Sequence, residues 1–392
     1  MKEENVKKII NFTRELVKIP SQNGIDSEAK ISKLIFKKLK GFGFSPKIIG
    51  PKEHPSVICF LKKPGVKKTI WLESHLDTVS VGDLSKWKFP PFEGKIKGNK
   101  MYGRGVADSK IGIALFSYLA KDLFQNFQFK GNIFLSFSAD EESGNFTGIK
   151  EILKIVPKAD ICILGYQGRE ISIGARGWLR LKLITLGKQA HTGARYSKGI
   201  NAIHKMQKAI EVILKLNFLK KKEKFFEYGP SLNISLIKGG LFMNIVPDKC
   251  EAIIDTRFLP SQKPKLIMKE IVESLREVKK EDKDFKFKIE IINFQDAFLT
   301  NPNHPFIKIL EKNVKKILKR KIIFATSGAG SVGNLIAKKK IPIINAFGCE
   351  SGNFHAEDEW VNTDDIPRIL KIYQDSLIEF SKYGIRDQRN GE

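Results

Sequence analysis

The first third of the chain alternates short apolar runs with helical patterns, and this alternation constrains the fold more than any other feature. SVICFLKK (56–63), KTIWLES (68–74) and NIFLSFSAD (132–140) are apolar runs of strand length. Between the last two, IGIALFSYLAKDLF (111–124) repeats apolar residues at helical spacing. Strands that are apolar on both faces are typical of a central sheet covered by helices. The sequence therefore predicts an α/β fold.

The pattern changes near Ile171. SIGARGWLRLKLITLG (172–187) has the period-two alternation of antiparallel strands with one solvated face. The elements that follow complete the β-α-β-β-α-β order of the ferredoxin-like unit, and the α/β pattern returns from about Gln295. We therefore predict a mixed-sheet α/β domain formed by residues 1–173 and 294–392, with a smaller α+β, ferredoxin-like domain inserted at 174–293.

The chain is strongly basic. It contains 69 lysines and arginines against 43 aspartates and glutamates, which gives a net charge of +26. Nucleic-acid-binding proteins often have such a balance. However, the basic clusters LKKKEKF (219–225) and KKILKRK (315–321) lie in helical patterns and lack the interleaved aromatic residues of a single-strand-binding surface. We interpret them as solvated helix faces, so a nucleic acid is not the predicted partner.

The cysteines, the amino-terminal stretch and the lengths of the apolar runs indicate the compartment. Cys59, Cys162, Cys250 and Cys349 are scattered and form no CxxC pair, which is typical of reduced thiols in a cytoplasmic protein. The amino-terminal stretch MKEENVKKIINF has no apolar signal-peptide core. The apolar runs are also far shorter than the ~20 residues that a membrane span needs. We expect a cytoplasmic protein with no membrane segment.

Several side chains that can bind metal ions follow the predicted strands or precede a helix. They are His75, Asp77, Asp108, Glu141, Glu142 and His355. In open α/β sheets, ligand sites are built at strand ends and in the loops beyond them. Imidazole nitrogen and carboxylate oxygen suit zinc, and a bridging carboxylate can hold two ions. The set therefore predicts a divalent-metal hydrolase.

Taken singly, each of these signals has a simpler explanation. A histidine after a strand is more often a surface or packing residue, and adjacent acids such as Glu141 and Glu142 usually form a solvated turn. Only the combination points to a metal site, and spacing alone does not establish it.

Longer stretches of the chain resemble the zinc-dependent aminoacylase/carboxypeptidase family, which includes acetylornithine deacetylase, succinyl-diaminopimelate desuccinylase and glutamate carboxypeptidase. The matching stretches are SHLDTV (74–79), KWKFPPFEGKIKGNKMYGRGVADSKIGIA (86–114), ADEESG (139–144), QAHTGARYSKGINAI (189–203) and GGLFMNIVPDKCEAIIDTRFLP (239–260). The likeness runs from about Val6 to Phe380. It implies a catalytic α/β domain whose inserted domain serves for dimerisation and as a lid.

The resemblance also implies the metal ligands. His75 would bind one ion, Asp108 would bridge two, and Glu142 and His355 would bind the second. Asp77 would accept the other N–H of His75, which fixes the tautomer of the imidazole and raises its basicity. The implied ion is Zn²⁺, with Co²⁺ or Mn²⁺ as substitutes.

In the implied reaction the ion lowers the pKa of a water molecule and polarises the scissile amide carbonyl. Glu141 would take the proton of this water and pass it to the leaving amine. His191 would stabilise the oxyanion from the partner subunit of a homodimer. Asn244 and Arg257 would hold the free carboxylate of a small-molecule substrate, although on charge alone Arg257 could also be an ordinary surface strand residue.

One metal ligand of the family is missing from this chain. Where relatives have an acidic residue after a strand, this chain has Gly165, Tyr166 and Gln167, and neutral side chains are poor zinc ligands beside a carboxylate. Three outcomes are open. Glu170 completes the site, the site holds a single ion, or the chain has kept the fold and lost the activity.

Because the other four ligands and the base are retained, we predict a metal-dependent hydrolase that cleaves the amide bond of an N-acyl amino acid or small peptide. The alternative is a catalytically impaired relative that binds a ligand or a partner. Tightly held metal favours the first prediction, and its absence favours the second.

Overall fold

The computed structural model of the protein describes residues 3–193, 195–196 and 198–383. The α-helices are α1 (Glu3–Val17), α2 (Ala29–Gly41), α3 (Ile111–Gln125), α4 (Thr147–Ile155), α5 (Ala202–Ile213), α6 (Pro264–Glu281), α7 (Pro305–Leu318), α8 (Val332–Ile336) and α9 (Ile366–Lys382). The strands are β1 (Lys47–Ile49), β2 (Ser56–Leu61), β3 (Thr69–His75), β4 (Lys95–Lys97), β5 (Lys100–Tyr102), β6 (Asn132–Ser138), β7 (Ile161–Leu164), β8 (Ile171–Ala175), β9 (Gly177–Leu186), β10 (Ser231–Gly239), β11 (Lys249–Phe258), β12 (Lys286–Gln295), β13 (Phe298–Leu299), β14 (Phe324–Ser327), β15 (Ile343–Ile344), β16 (Ser351–Gly352) and β17 (Trp360–Asn362).

The chain divides into two compact units. Unit 1 is formed by the described residues of Met1–Gly174, Thr300–Ala325 and Ser331–Glu392. Unit 2 is formed by those of Ala175–Leu299 and Thr326–Gly330. Most of unit 2 is therefore one continuous segment that interrupts unit 1.

The centre of unit 1 is a six-stranded mixed sheet with the order β1-β2-β6-β3-β7-β15. Strand β3 runs parallel to β6 and to β7, whereas β2 runs antiparallel to β6. Every residue of β3 and β6 is buried, as expected for central strands of a sheet that is covered on both faces. The parallel register places His75 opposite Ser138, so the carboxyl ends of β3 and β6 lie side by side.

A second sheet of unit 1 brings two distant segments together. It is antiparallel with the order β16-β17-β5-β4, and Trp360 in β17 pairs with Tyr102 in β5. The first segment leads into the loop that carries Asp108, and the second follows His355 in the chain. The pairing of β5 with β17 therefore connects the surroundings of two predicted ligands.

Unit 2 is a four-stranded antiparallel sheet, with the order β10-β11-β9-β12, packed against α5 and α6. Leu179, Leu181 and Leu183 alternate along β9 and all face this helical layer. In α6, Ile267 and Ile271 begin a buried stripe at helical spacing. The element order and strand order are those of the ferredoxin-like unit.

The cysteines and the helices relate to the expectations of reduced thiols and of no membrane segment. Cys59, Cys162, Cys250 and Cys349 are all buried and free, as expected for reduced thiols. Among the described residues, each helix is too short or too polar to cross a bilayer.

Candidate metal centre

The predicted ligands of unit 1 meet at the carboxyl ends of β3 and β6. His75 is the last residue of β3, and Asp77 lies two residues beyond it. Glu141 and Glu142 follow β6. Asp140, between the end of β6 and these acids, has a φ of 60°, a left-handed backbone conformation that non-glycine residues adopt rarely. Such conformations cluster at functional sites, where surrounding contacts enforce them.

Asp77 organises the backbone of this edge. Its carboxylate is buried, with Oδ1 accepting from the Glu141 N–H at 3.0 Å and Oδ2 from the Glu142 N–H at 2.8 Å. The Nδ1 of His75 lies 3.0 Å from the Asp77 carbonyl oxygen but 3.6 Å from its carboxylate. The nearer partner of this imidazole is thus the backbone carbonyl, which can only accept a hydrogen bond. The Asp77 carboxylate also fixes the backbone of the two glutamates.

Asp108 stands between the two histidines. Its Oδ1 lies 2.7 Å from the Nε2 of His75, and its Oδ2 lies 3.3 Å from the Nε2 of His355. The same Nε2 of His355 lies 3.2 Å from Oε1 of Glu142. One ligand atom from each of His75, Asp108 and Glu142 can be chosen so that all three lie within 4.8 Å of one another. The structure therefore brings together all four residues that the sequence nominates as metal ligands.

Glu359 holds the loop that carries Asp108, and no sequence pattern predicts this role. Its Oε1 accepts from the backbone N–H groups of Ala107 and Asp108, at 2.9 and 3.0 Å. Its Oε2 accepts from Gly105 N–H and from Arg104 Nη1, both at 2.9 Å. Both side chains of this ion pair are almost completely buried, at 2% exposure for Arg104 and 1% for Glu359. Glu359 follows Glu357 and Asp358 in the chain, so composition alone could not distinguish it.

Burial and hydrogen bonds shift the pKa values of the ligand side chains. Burial raises the pKa of Asp108, but its hydrogen bonds with His355 and His75 outweigh burial, and the pKa lies below its ordinary value. Hydrogen bonds with Asp108 and Glu142 raise the pKa of His355 to about 10. Burial raises the pKa of Glu142.

Glu141 lies beside the ligand group. Burial raises its pKa to about 8; the charge of His75 lowers it, and the charges of Glu142 and Asp108 raise it further. A cation held by the neighbouring side chains would oppose this shift, because it favours the ionised carboxylate. The Oε1 of Glu141 accepts a hydrogen bond of 2.6 Å from the hydroxyl of Tyr166.

The segment where the family has an acidic ligand is neutral here and is held by its own contacts. Gln167 is buried, with Nε2 donating to the Gly165 carbonyl at 2.6 Å and Oε1 accepting from Cys349 N–H at 3.0 Å. Glu170 is exposed and lies outside the group formed by His75, Asp108 and Glu142. Its contribution as a fifth ligand therefore stays a prediction without a supporting contact.

The donor set fits a divalent cation. Two imidazole nitrogens and two carboxylates are ligands that zinc and similar ions accept. The two oxygens of Asp108 are directed to different histidines, which is the arrangement that a bridging carboxylate needs. The Asp108–Ser109 peptide bond is cis.

The remaining predicted residues, His191, Asn244 and Arg257, belong to unit 2. The loops of His191 and Asn244 meet, because Thr192 N–H donates to the Asn244 carbonyl at 3.0 Å. Both side chains are exposed. Arg257 lies in β11 and pairs through Nε with Asp255 Oδ1 at 2.8 Å. Their roles toward a substrate stay predictions.

The mixed sheet and the ligand group at its strand ends define the chain as a metal-dependent hydrolase. More particularly, it belongs to peptidase family M20/M25/M40, whose sequence profile matches residues 71–379. Succinyl-diaminopimelate desuccinylase of Wigglesworthia glossinidia brevipalpis is 29% identical, over 93% of this chain and 97% of the relative. An uncharacterized metallohydrolase of Methanocaldococcus jannaschii is 28% identical, over 83% of this chain and 84% of the relative.

Solved structures share the fold. An M20 family metallo-carboxypeptidase from Sulfolobus solfataricus superposes with a TM-score of 0.76 at 21% identity, covering 97% of this chain and 100% of the other. A dinuclear metal binding peptidase of the M20 family from Bacillus subtilis gives a TM-score of 0.74 at 15% identity, covering 97% and 99%.

These likenesses confirm the predicted resemblance and the α/β fold class with its inserted α+β unit. They also confirm the predicted activity. The chain is a metal-dependent hydrolase of amide bonds in acyl amino acids or peptides. They give no support to the alternative, in which the chain only binds a ligand or partner.

Proposed function

We propose that the chain removes an acyl group from an amino acid, or cleaves a small peptide, whose free carboxylate is held by Asn244 and Arg257. The observation that carries this proposal is the convergence of His75, Asp108 and Glu142 beside the carboxylate of Glu141, which lies outside this ligand group. The desuccinylase relatives make N-succinyl amino acids the first substrates to test.

We propose Zn²⁺ as the resident cation, with Co²⁺ or Mn²⁺ as substitutes. The Oδ2 of Asp108, Glu142 and His355 would form one set of three ligands, as catalytic zinc sites commonly have. The other oxygen of Asp108 faces His75, and the neutral Tyr166 stands where the resemblance implies a further acidic ligand. This arrangement favours a first ion at the three-ligand side and a weaker second one. When bound, the cation supplies an acidic water and polarises the substrate carbonyl.

The residues of this chain would then carry the proton. Glu141 takes the proton from the attacking water through Oε2, since Oε1 accepts from Tyr166 and, among the described residues, no hydrogen bond involves Oε2. It returns this proton to the leaving amine. His191 would stabilise the oxyanion of the tetrahedral intermediate. Arg257 would hold the substrate carboxylate, sharing its guanidinium with Asp255.

The test combines elemental analysis of the purified protein with turnover of a panel of N-acyl amino acids and dipeptides. We expect one or two tightly held zinc ions per chain, and hydrolysis of at least one panel member that stops on chelation and returns with Zn²⁺. N-acyl amino acid amides, which lack the free carboxylate, serve as matched poor substrates. A protein without metal, or with metal and no turnover across the panel, would contradict the proposal.

We further propose that the chain forms a homodimer through its inserted domain, predicted at 174–293. Strand β10 is an edge of the unit 2 sheet, so its outer backbone groups can pair with another chain. Exposed apolar side chains follow this strand, with Phe242 72% and Met243 102% exposed. Apolar surface of this kind marks protein–protein contacts. The free, buried cysteines support a cytoplasmic location for this dimer.

For the dimer, sedimentation equilibrium is expected to give twice the mass of one chain, and Phe242→Lys is expected to shift the protein toward monomer. A lysine at the interface would have to be desolvated without a partner. Phe127→Lys is the matched control, because Phe127 is 80% exposed in unit 1 and should leave the mass unchanged. A wild-type monomer, or equal association of both variants, would refute the dimer.

A further inference from the structure

Tyr166 lies at the same edge of the sheet as the predicted ligands, in the segment that follows β7. Strand β7 pairs in parallel with β3, and Leu164 is opposite Glu73, two residues before His75. The Tyr166 ring lies 5.4 Å from the imidazole of His75, measured between ring centroids. Its hydroxyl, however, is directed to Glu141, with 2.6 Å between the phenolic oxygen and Oε1.

The backbone on either side of Tyr166 leaves it little freedom. Gly165 lies so close to β3 that a Cβ added there would stand 2.4 Å from Oγ of Ser74. On the other side, Gln167 is fixed by its two hydrogen bonds to Gly165 and Cys349. The phenol is therefore presented to Glu141 by a segment held at both ends.

A phenol in this place can do what a carboxylate cannot. It donates a charge-assisted hydrogen bond to the ionised Glu141, which fixes one carboxylate oxygen and leaves the other to accept a proton. A carboxylate at the same place would repel Glu141 unless a cation lay between them.

We propose that Tyr166 is a positioning residue for the general base and not a ligand of the cation. This inference rests on the proposed function, because it assigns Glu141 the role of base. It gives the neutral residue at this position a role in catalysis. It also explains how the chain can be active although the acidic ligand of the family is replaced by tyrosine.

The test is Tyr166→Phe, which removes the hydroxyl and keeps the ring. We expect kcat to fall about 10–100-fold, the value of a hydrogen bond to a charged group, with KM within about twofold. Calorimetric titration with Zn²⁺ should give the same stoichiometry and Kd as the wild type. In a Glu141→Gln background, Tyr166→Phe should lower the residual kcat no further, because the two residues act as a unit. Tyr383→Phe, an exposed tyrosine in unit 1, is the matched control.

An unchanged kcat in Tyr166→Phe would overturn the proposal, and so would a loss of zinc affinity of tenfold or more, which would make the phenol a ligand. Failure of the proposed function has a different signature, a wild-type protein that binds zinc and hydrolyses nothing in the panel. In that case the ¹³C carboxyl resonance of Glu141, assigned through Glu141→Gln, decides. A shift in Tyr166→Phe but not in Tyr383→Phe supports the contact, and an unchanged resonance overturns it.

Discussion

Replacing Glu141 with Gln is expected to lower kcat by roughly 10²–10⁴-fold, the usual contribution of a positioned general base. The amide has nearly the shape of the carboxylate, and its oxygen can still accept from the Tyr166 hydroxyl, so the surroundings are retained. The backbone N–H of residue 141 still donates to Asp77. What is lost is a group that can take a proton from water. Turnover of the best panel substrate under saturation measures the effect.

The adjacent acid provides the matched control for this change. Glu142→Gln alters a side chain whose Oε1 lies 3.2 Å from His355 in the ligand group, so we expect it to weaken zinc binding measurably. Glu141→Gln should instead leave zinc content and Kd close to those of the wild type. If Glu141→Gln kept wild-type rates, the base would have to be assigned elsewhere. If it lost the zinc, Glu141 would be a ligand.

The second large effect is expected on stability. Glu359→Leu should lower the free energy of unfolding of the metal-free protein by about 3–5 kcal/mol, the cost of breaking a buried ion pair by removing one partner. The change leaves the Arg104 guanidinium buried without its carboxylate and three backbone N–H groups without their acceptor. Denaturant unfolding measures the loss. Zinc affinity should fall as well, because the backbone of Asp108 is no longer held.

Two further variants make the Glu359 result specific. Glu53→Gln removes the charge of an exposed glutamate of unit 1 and should change stability by no more than about 0.5 kcal/mol. Adding Arg104→Leu to Glu359→Leu removes both buried charges, so the double variant should lose less stability than the sum of the two single changes. Strict additivity would mean that the two side chains do not act as a pair.

The sequence predicts the parts of this fold that local patterns determine. The apolar runs at β3 and β6 indicate central strands, and both are buried throughout. Because parallel strands end at the same edge, His75 and Glu142 could be expected to meet. Asp108 and His355 belong to the same predicted set by their places before a helix and after a strand, the resemblance implies their roles as ligands, and the structure brings both to that edge.

What the sequence does not predict depends on contacts between distant residues. Glu359 is the third of three consecutive acids, and only its contacts with the Arg104–Asp108 loop, more than 250 positions earlier, show that it is buried there. Tyr166 is neutral where the family has an acid, and no local pattern predicts the hydrogen bond from its hydroxyl to Glu141. The prediction that the Asp77 carboxylate orients His75 says nothing of the Asp77 backbone carbonyl, which lies nearer to Nδ1 of His75, at 3.0 Å against 3.6 Å for the carboxylate.

The long separation between Asp108 and Glu359 has a consequence for biosynthesis. A ribosome makes the Asp108 loop early, but the carboxylate that fixes it emerges 251 positions later, and His355 only shortly before. A nascent or truncated polypeptide that ends before His355 therefore lacks one imidazole and the support of the loop. Such a product cannot assemble the complete ligand group, so hydrolytic activity is acquired only after Glu359 has been made.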